Sequence, residues 1–89
     1  MSELTHLPAE QRFESPEGGV LEYRLDGRRM LLTHTWVPPD LRGKGIAEKM
    51  VLAALETART EGWKVVPICG YVDAFLRRHR EFDDLRADA

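Results

Sequence analysis

Apolar and polar positions change rhythm along this chain, and the changes mark out its elements. In "VLEYRLDG", residues 20–27, Leu21, Tyr23 and Leu25 alternate with Glu22, Arg24 and Asp26. That period of two is the mark of a strand buried on one face. Asp26-Gly27 follows as a two-residue hairpin signal. The returning stretch "RRMLLTHTWV", residues 28–37, is apolar on both faces, with Met30 and Leu32 on one and Leu31 and Val37 on the other. Such a pattern suits a central strand. Pro38-Pro39 must end it, because neither residue can donate to a ladder. Upstream, "QRFES" at 11–15 reads as a short edge strand closed by Pro16, Gly18 and Gly19. Residues 11–37 therefore predict a three-stranded antiparallel meander. Residues 1–9 are polar with Pro8 among them, so an irregular N-terminus is expected.

From Gly45 the period becomes helical. Ile46, Ala47, Met50, Val51, Ala54, Leu55 and Ala58 form one stripe, while Glu48, Lys49, Glu56 and Arg59 face water. Gly62 fits the position just past a helix end. "WKVVPIC", residues 63–69, is a β-branched run of strand length, and the helix before it suggests a crossover to a parallel partner. Pro67 removes one ladder donor, which places this strand at an edge or separates it from its neighbour there. In "YVDAFLRRH", residues 71–79, Val72, Phe75, Leu76 and His79 fall at helical spacing, and residues 83–89 are expected to fray. The order is β-β-β-α-β-α, an α/β layout with a mixed sheet.

Composition narrows the functional classes. The 89 residues read as one domain, just below the common range of roughly 100–150. A net charge of −2 argues against a general nucleic-acid binder, which carries a basic excess. The cations do cluster, at 42–44 and 77–80, so a local anion site stays open. A lone cysteine, Cys69, excludes an internal disulfide framework and a cysteine-only metal cage, and it suits a reducing, cytoplasmic compartment. No apolar run has signal-peptide or membrane-spanning length.

Those cations point to one loop. Arg42, Gly43, Lys44 and Gly45 stand immediately before the long helix. A helix N-terminus offers unpaired N–H groups and a partial positive charge, and glycines let an anion approach the backbone closely. The P-loop spacing G-x-x-x-x-G-K-[ST] is absent, and the dinucleotide pattern G-x-G-x-x-G has Glu48 where its third glycine belongs.

Arg42-Gly43-Lys44-Gly45-Ile46-Ala47 resembles the [Q/R]-x-x-G-x-[G/A] pyrophosphate signature of the GNAT acyltransferase superfamily, which uses acetyl-coenzyme A. There the signature follows an antiparallel meander, opens the main helix and precedes a strand and a second helix. "HT-x-VP-x-x-LRGKGIA", "KVVPIC-x-YV" and the "RRH" helix further resemble its small, single-domain acetyl-CoA-binding members, over residues 20–85. Those members commonly read His-Pro-Glu-Tyr where this chain reads His79-Arg80-Glu81-Phe82. The resemblance implies a minimal GNAT fold with a V-shaped splay between the central strands, where the cofactor arm enters. It implies that the backbone of Arg42 to Ala47 cradles the pyrophosphate, that Trp36 and Val37 pair with the pantetheine, and that Tyr71 and Phe75 line the thioester end. Pro67 supplies a reason for the splay, since it cannot bond across to the neighbouring strand.

Catalytic candidates are fewer. Larger GNAT enzymes often use a carboxylate or a water chain as base and a tyrosine of the second helix as acid. Here Arg78 and His79 stand near that place, and Tyr71 comes one turn too early. Cys69, beside the implied thioester, has the chemistry to take the acetyl group covalently; the plainer reading is a small buried hydrophobe. His34 lies on the strand bordering the cofactor and suits a general base near neutral pH, against the plainer reading of a hydrogen-bonded strand histidine. His79 reads as part of a solvated basic face and, with Arg78, as a contact for the cofactor phosphates. Arg77, Arg80 and Trp63 read as structural or solvated. Cys69, His34 and His79 are metal-ligand types, but no ligand spacing joins them. A chain this long has no room for the extra helices and strands that wall the acceptor in larger relatives. The sheet face opposite the helices should thus be open to an amine acceptor, a protein being one candidate. The same shortness suits a coenzyme A-binding or interaction module without turnover.

Overall fold

The alternation in residues 20–26 is realised as β3 (Val20–Asp26), with Leu21 and Tyr23 buried and Glu22 and Arg24 exposed. The computed structural model describes residues 3–87. Around β3, the strands β1 (Thr5–Leu7), β2 (Arg12–Glu14), β4 (Arg29–Trp36) and β5 (Lys64–Pro67) complete a five-stranded sheet in spatial order β1-β2-β3-β4-β5. The first four strands run antiparallel to their neighbours, and β5 is parallel to β4. Two helices, α1 (Ile46–Glu61) and α2 (Gly70–Arg78), follow β4 and β5. The mixed sheet and helices are the expected α/β layout, with one strand more than the expected order.

Four expectations need correction. Residues 1–9 are not irregular throughout: Thr5–Leu7 pairs with β2, so β2 is not an edge strand, and Pro8–Glu10 forms a short 3-10 turn. Here proline opens the turn, where its missing N–H costs nothing. Residues 83–87 are not frayed. A 3-10 segment, Arg80–Leu85, buries Leu85, and Arg86 bridges Val65. Residues 1–2 and 88–89 lie outside the described part of the chain. The hairpin turn is Gly27-Arg28, one residue later than the Asp-Gly signal, because Asp26 pairs with Arg29. Gly27 takes the positive φ (61°) that the turn demands.

Both helices cover one face of the sheet. Phe13, Leu21, Tyr23, Met30, Leu32 and Val65 point into a single core with Met50, Val51, Ala54 and Leu55 of α1 and Val72, Phe75 and Leu76 of α2. The alternate positions Arg12, Glu14, Glu22, Arg24, Leu31 and Val66 lie on the opposite, open face and keep solvent contact. Gly62 stops α1 in the left-handed conformation (φ 77°) and donates to the carbonyls of Ala58 and Arg59.

One irregularity in β4 decides which side chains reach the helix side. Tyr23 pairs with Leu32, yet Glu22 pairs with His34. Thr33 is thus an extra residue, a bulge, and it reverses the facing of every residue after it. Thr35 pairs with the core residue Leu21 and points with it. His34 and Trp36 therefore point to the open face.

Candidate active site

The site lies where β4 and β5 part. Their pairing runs from Arg29↔Lys64 to Leu32↔Pro67, and β4 then continues to Trp36 with β3 alone. The amide of Lys64 donates to Arg28, and strand alternation would have Ile68 donate to Leu32. Instead Ile68 N–H turns back to Val66 (3.0 Å), and Cys69 N–H takes the Leu32 carbonyl (2.9 Å). Pro67 causes this differently from the sequence expectation. Its nitrogen belongs to the outer side, the side on which the Val65 carbonyl accepts from Ala87. What Pro67 contributes is a fixed φ at the centre of a three-residue turn, and that turn withdraws Ile68 from β4.

Beside the gap, the helix α1 begins without a side-chain cap. Its first N–H groups therefore have no intrahelical partner. Gly43 and Gly45 both hold left-handed conformations (φ 82° and 83°), and a β-carbon on either would point into open space. A hollow of about 440 Å³ lies against this turn, with Thr35, Trp36 and Val37 of the β4 end, Arg42 and Glu48 around the helix start, and Tyr71 of α2 in its wall. Arg42 is held in place there by its Nε, which donates to the Val37 carbonyl (2.9 Å). An uncapped helix start, two glycines open to the hollow and a tethered guanidinium together fit a diphosphate.

Cys69 caps α2 at the base of the gap. Its Sγ lies 3.5 Å from the Thr35 hydroxyl. Burial pushes the thiol pKa up, but the Thr35 hydroxyl and the backbone N–H groups of Val72, Tyr71 and Thr35 outweigh it, leaving the pKa below its ordinary value. A lowered thiol pKa at a helix N-terminus favours the nucleophilic thiolate. Burial raises the Tyr71 pKa, the Glu48 carboxylate raises it further, and Arg78 partly opposes both. Tyr71 is thus a protonated phenol, able to donate a hydrogen bond into the hollow.

The sequence-predicted residues do not all meet. Trp36, Val37, Arg42, Gly43, Gly45, Ile46, Ala47 and Tyr71 share the hollow's wall. Lys44 and Arg78 are exposed and outside that wall. Phe75 is placed in the core instead, stacked on His79 (4.1 Å) and tilted against Phe82 (6.3 Å). His34 is on the far face from Cys69, so the two do not form a dyad. The basic cluster at 77–80 is largely tied up, Arg77 to Asp73 (3.1 Å) and Arg80 to Asp83 (2.7 Å). Among the described residues no three histidine, cysteine or carboxylate side chains gather as a metal site.

Sequence reasoning missed Thr35 and Glu48. Glu48 was assigned to water by helical period alone. A pair at the other end of the molecule was also missed: His6 Nε2 and the Tyr23 hydroxyl lie 2.6 Å apart, and the His6 ring stacks on Phe13 at 4.2 Å. Only a strand at 5–7 would have brought them together.

The fold agrees with what comparison with known proteins finds. The profile of the GCN5-related N-acetyl-transferase family matches residues 10–85, most of the chain. The chain belongs to that family. Its curated relatives include the proteins named NATD1 of Bos taurus and Homo sapiens, each 36% identical over 61 residues. The match covers 67% of this chain and 54% of each relative, so this family member corresponds to about half their length. Among solved structures, a GCN5-like protein from Staphylococcus aureus, determined by NMR in solution, superposes with a TM-score of 0.80. It covers 98% of this chain and 89% of its own at 22% identity, and so speaks to the fold alone.

Proposed function

We propose that this family member is an acetyl-CoA-dependent N-acetyltransferase that moves the acetyl group to an amine, with Cys69 as the nucleophile. The observation that carries the reading is the hollow at the β4 end. An uncapped helix start, Gly43, Gly45 and a tethered Arg42 for the diphosphate face a free β4 edge there, and Thr35 of the same wall lies 3.5 Å from the Cys69 thiol, whose pKa is lowered. Acetyl-CoA is the substrate family members use, and the GNAT resemblance runs its pantetheine along Trp36 and Val37. Lys44 and Arg78 add cationic field at the rim.

In this reading the Cys69 thiolate attacks the thioester carbonyl, its sulfur–carbon bond forms, and coenzyme A leaves as a thiolate. Tyr71 donates a hydrogen bond to that leaving sulfur. The amine, having lost its proton to solvent or to His34, then attacks S-acetyl-Cys69 and releases the thiol. Intact-mass measurement after mixing with acetyl-CoA tests the covalent step. One acetyl group is expected on the wild type and none on Cys69→Ala. An adduct that survives the substitution excludes the cysteine route and leaves direct transfer.

A further inference from the structure

A second hollow, of about 620 Å³, lies beside the last turns of α1, between that helix and the outer strand β1. It shares no lining residue with the hollow at the β4 end. The two meet α1 at opposite ends, roughly 18 Å apart along the helix axis. The His6–Tyr23 pair, joined at 2.6 Å, forms part of its wall, with Tyr23 buried and His6 half-buried. Burial lowers the His6 pKa, with Glu61 partly opposing, and burial raises that of Tyr23, so both are uncharged near neutral pH. Whichever of the two donates across the bond, an acceptor lone pair remains for a ligand N–H. The charge that lines the hollow is of one sign. Glu56 and Glu61 face it from α1, and neither makes an ion pair among the described residues. Nearby cations are engaged elsewhere: Arg59 bonds Asp84 (2.8 Å), Lys64 bonds the Asp84 carbonyl, and Arg28 lies beside Gly62, outside the lining.

We infer that this hollow is a second ligand site, for a small organic cation whose ammonium group pairs with Glu56 and Glu61 and whose apolar body lies against Leu25 and Trp63. Glu61 stands in the last turn of α1. Helix carbonyls carry partial negative charge there, and a cation is the favoured side chain. A carboxylate at that place works against the helix dipole, and a bound cation relieves it. Leu25, 41% exposed, and the indole of Trp63 give the same hollow an apolar part, and an indole face attracts ammonium groups. The volume falls within the range of small-molecule sites. A bare metal ion fits less well, because no three histidine, cysteine or carboxylate side chains gather among the described residues. The ligand is not the acetyl acceptor: Thr35, the neighbour of Cys69, lines the other hollow. The inference therefore stands independently of the acetyltransferase reading.

The test is a titration followed by two-dimensional amide NMR, with phenethylammonium as the probe. Phenethyl alcohol and phenylacetate serve as neutral and anionic probes of similar shape, and calcium chloride as a bare cation. The expected result is saturable shifts at Thr60, Glu61 and Trp63. Affinity for phenethylammonium should exceed that for the alcohol and for phenylacetate about tenfold or more, the size of one hydrogen bond to a charged group. Glu56→Gln combined with Glu61→Gln should weaken binding about tenfold. The double variant should keep its coenzyme A affinity, and its urea midpoint should be equal or higher, since the helix end loses an opposed charge. No saturable shift, equal binding of the alcohol, or the same shifts with calcium would overturn the inference. So would shifts confined to the start of α1, or full affinity in the double variant. A lower urea midpoint in that variant would also overturn it, by making the two carboxylates supports of the fold.

Discussion

The two ends of the β4–β5 pair are held in opposite ways. At the hairpin end the strands stay in register, and the C-terminal segment straps them. Arg59 bonds Asp84 (2.8 Å), Lys64 bonds the Asp84 carbonyl, Ala87 donates to Val65 (2.8 Å), and Arg86 reaches Asp73 on α2 (2.7 Å). At the other end a single turned amide, that of Ile68, lets the strands part, and the helix start stays uncapped. The difference teaches where this small domain keeps its order and where it leaves backbone groups unpaired. Packing and ion pairs hold one end, while at the other backbone groups stand free, as the proposed coenzyme A binding requires.

The sharpest way to break the contrast is to remove backbone freedom from the open end. Gly45→Val forces a β-branched residue to φ 83°, a conformation costing about 1–2 kcal/mol for an L-residue, and places methyl groups in the hollow. Coenzyme A binding should disappear while circular dichroism still reports the fold. Unchanged affinity would reduce the loop to a solvated turn.

Closing the gap is a milder change. Pro67→Ala allows Ile68 to donate to Leu32 in the ordinary parallel pattern. Hydrogen exchange at the Ile68 amide should slow, and coenzyme A affinity should fall several-fold. Exchange and affinity both unchanged would mean that another feature holds the strands apart.

At the thiol, Thr35→Val removes the hydroxyl that stabilises the thiolate. The Cys69 pKa should rise, so less thiolate is present near neutral pH and alkylation slows. An alkylation rate that rises or stays constant would contradict the assigned hydrogen bond.

The smallest effect belongs to the strapped side, at the outer strand β1. Burial lowers the His6 pKa from the usual 6.5, with Glu61 partly opposing. As pH falls below that value the unfolded chain takes up the proton first, so the fold loses stability until the lower folded value is passed. Above 6.5 this contribution is constant. His6→Gln should flatten that part of the stability–pH curve, measured by urea denaturation across the range, and should leave coenzyme A binding untouched.

Much of this architecture was legible in the sequence, because strong periods and turn residues govern it. The alternation of residues 20–26, the stripe from Ile46 to Ala58 and the stop at Gly62 all became elements. The glycine turn before α1 was legible for the same reason, and Gly43 and Gly45 hold left-handed conformations there. The misreadings share a different cause. Thr33 carries no signal of being a bulge, yet it exchanges the faces of His34 and Thr35, and so the sequence did not show that Thr35 is the β4 side chain beside Cys69. β1 and the strap at 80–87 are short and polar. Partners far away in the sequence create them, and no local propensity announces them. Phe75 shows the limit of helical spacing, which finds a buried stripe but not which neighbour it meets.

The central claim is that the open end is built to hold a nucleotide-bearing thioester. Isothermal titration of the wild-type protein with coenzyme A and with acetyl-CoA tests it most directly. The account predicts one saturable site for each. No heat of binding from either at about millimolar ligand, a free energy weaker than about −4 kcal/mol, would contradict it.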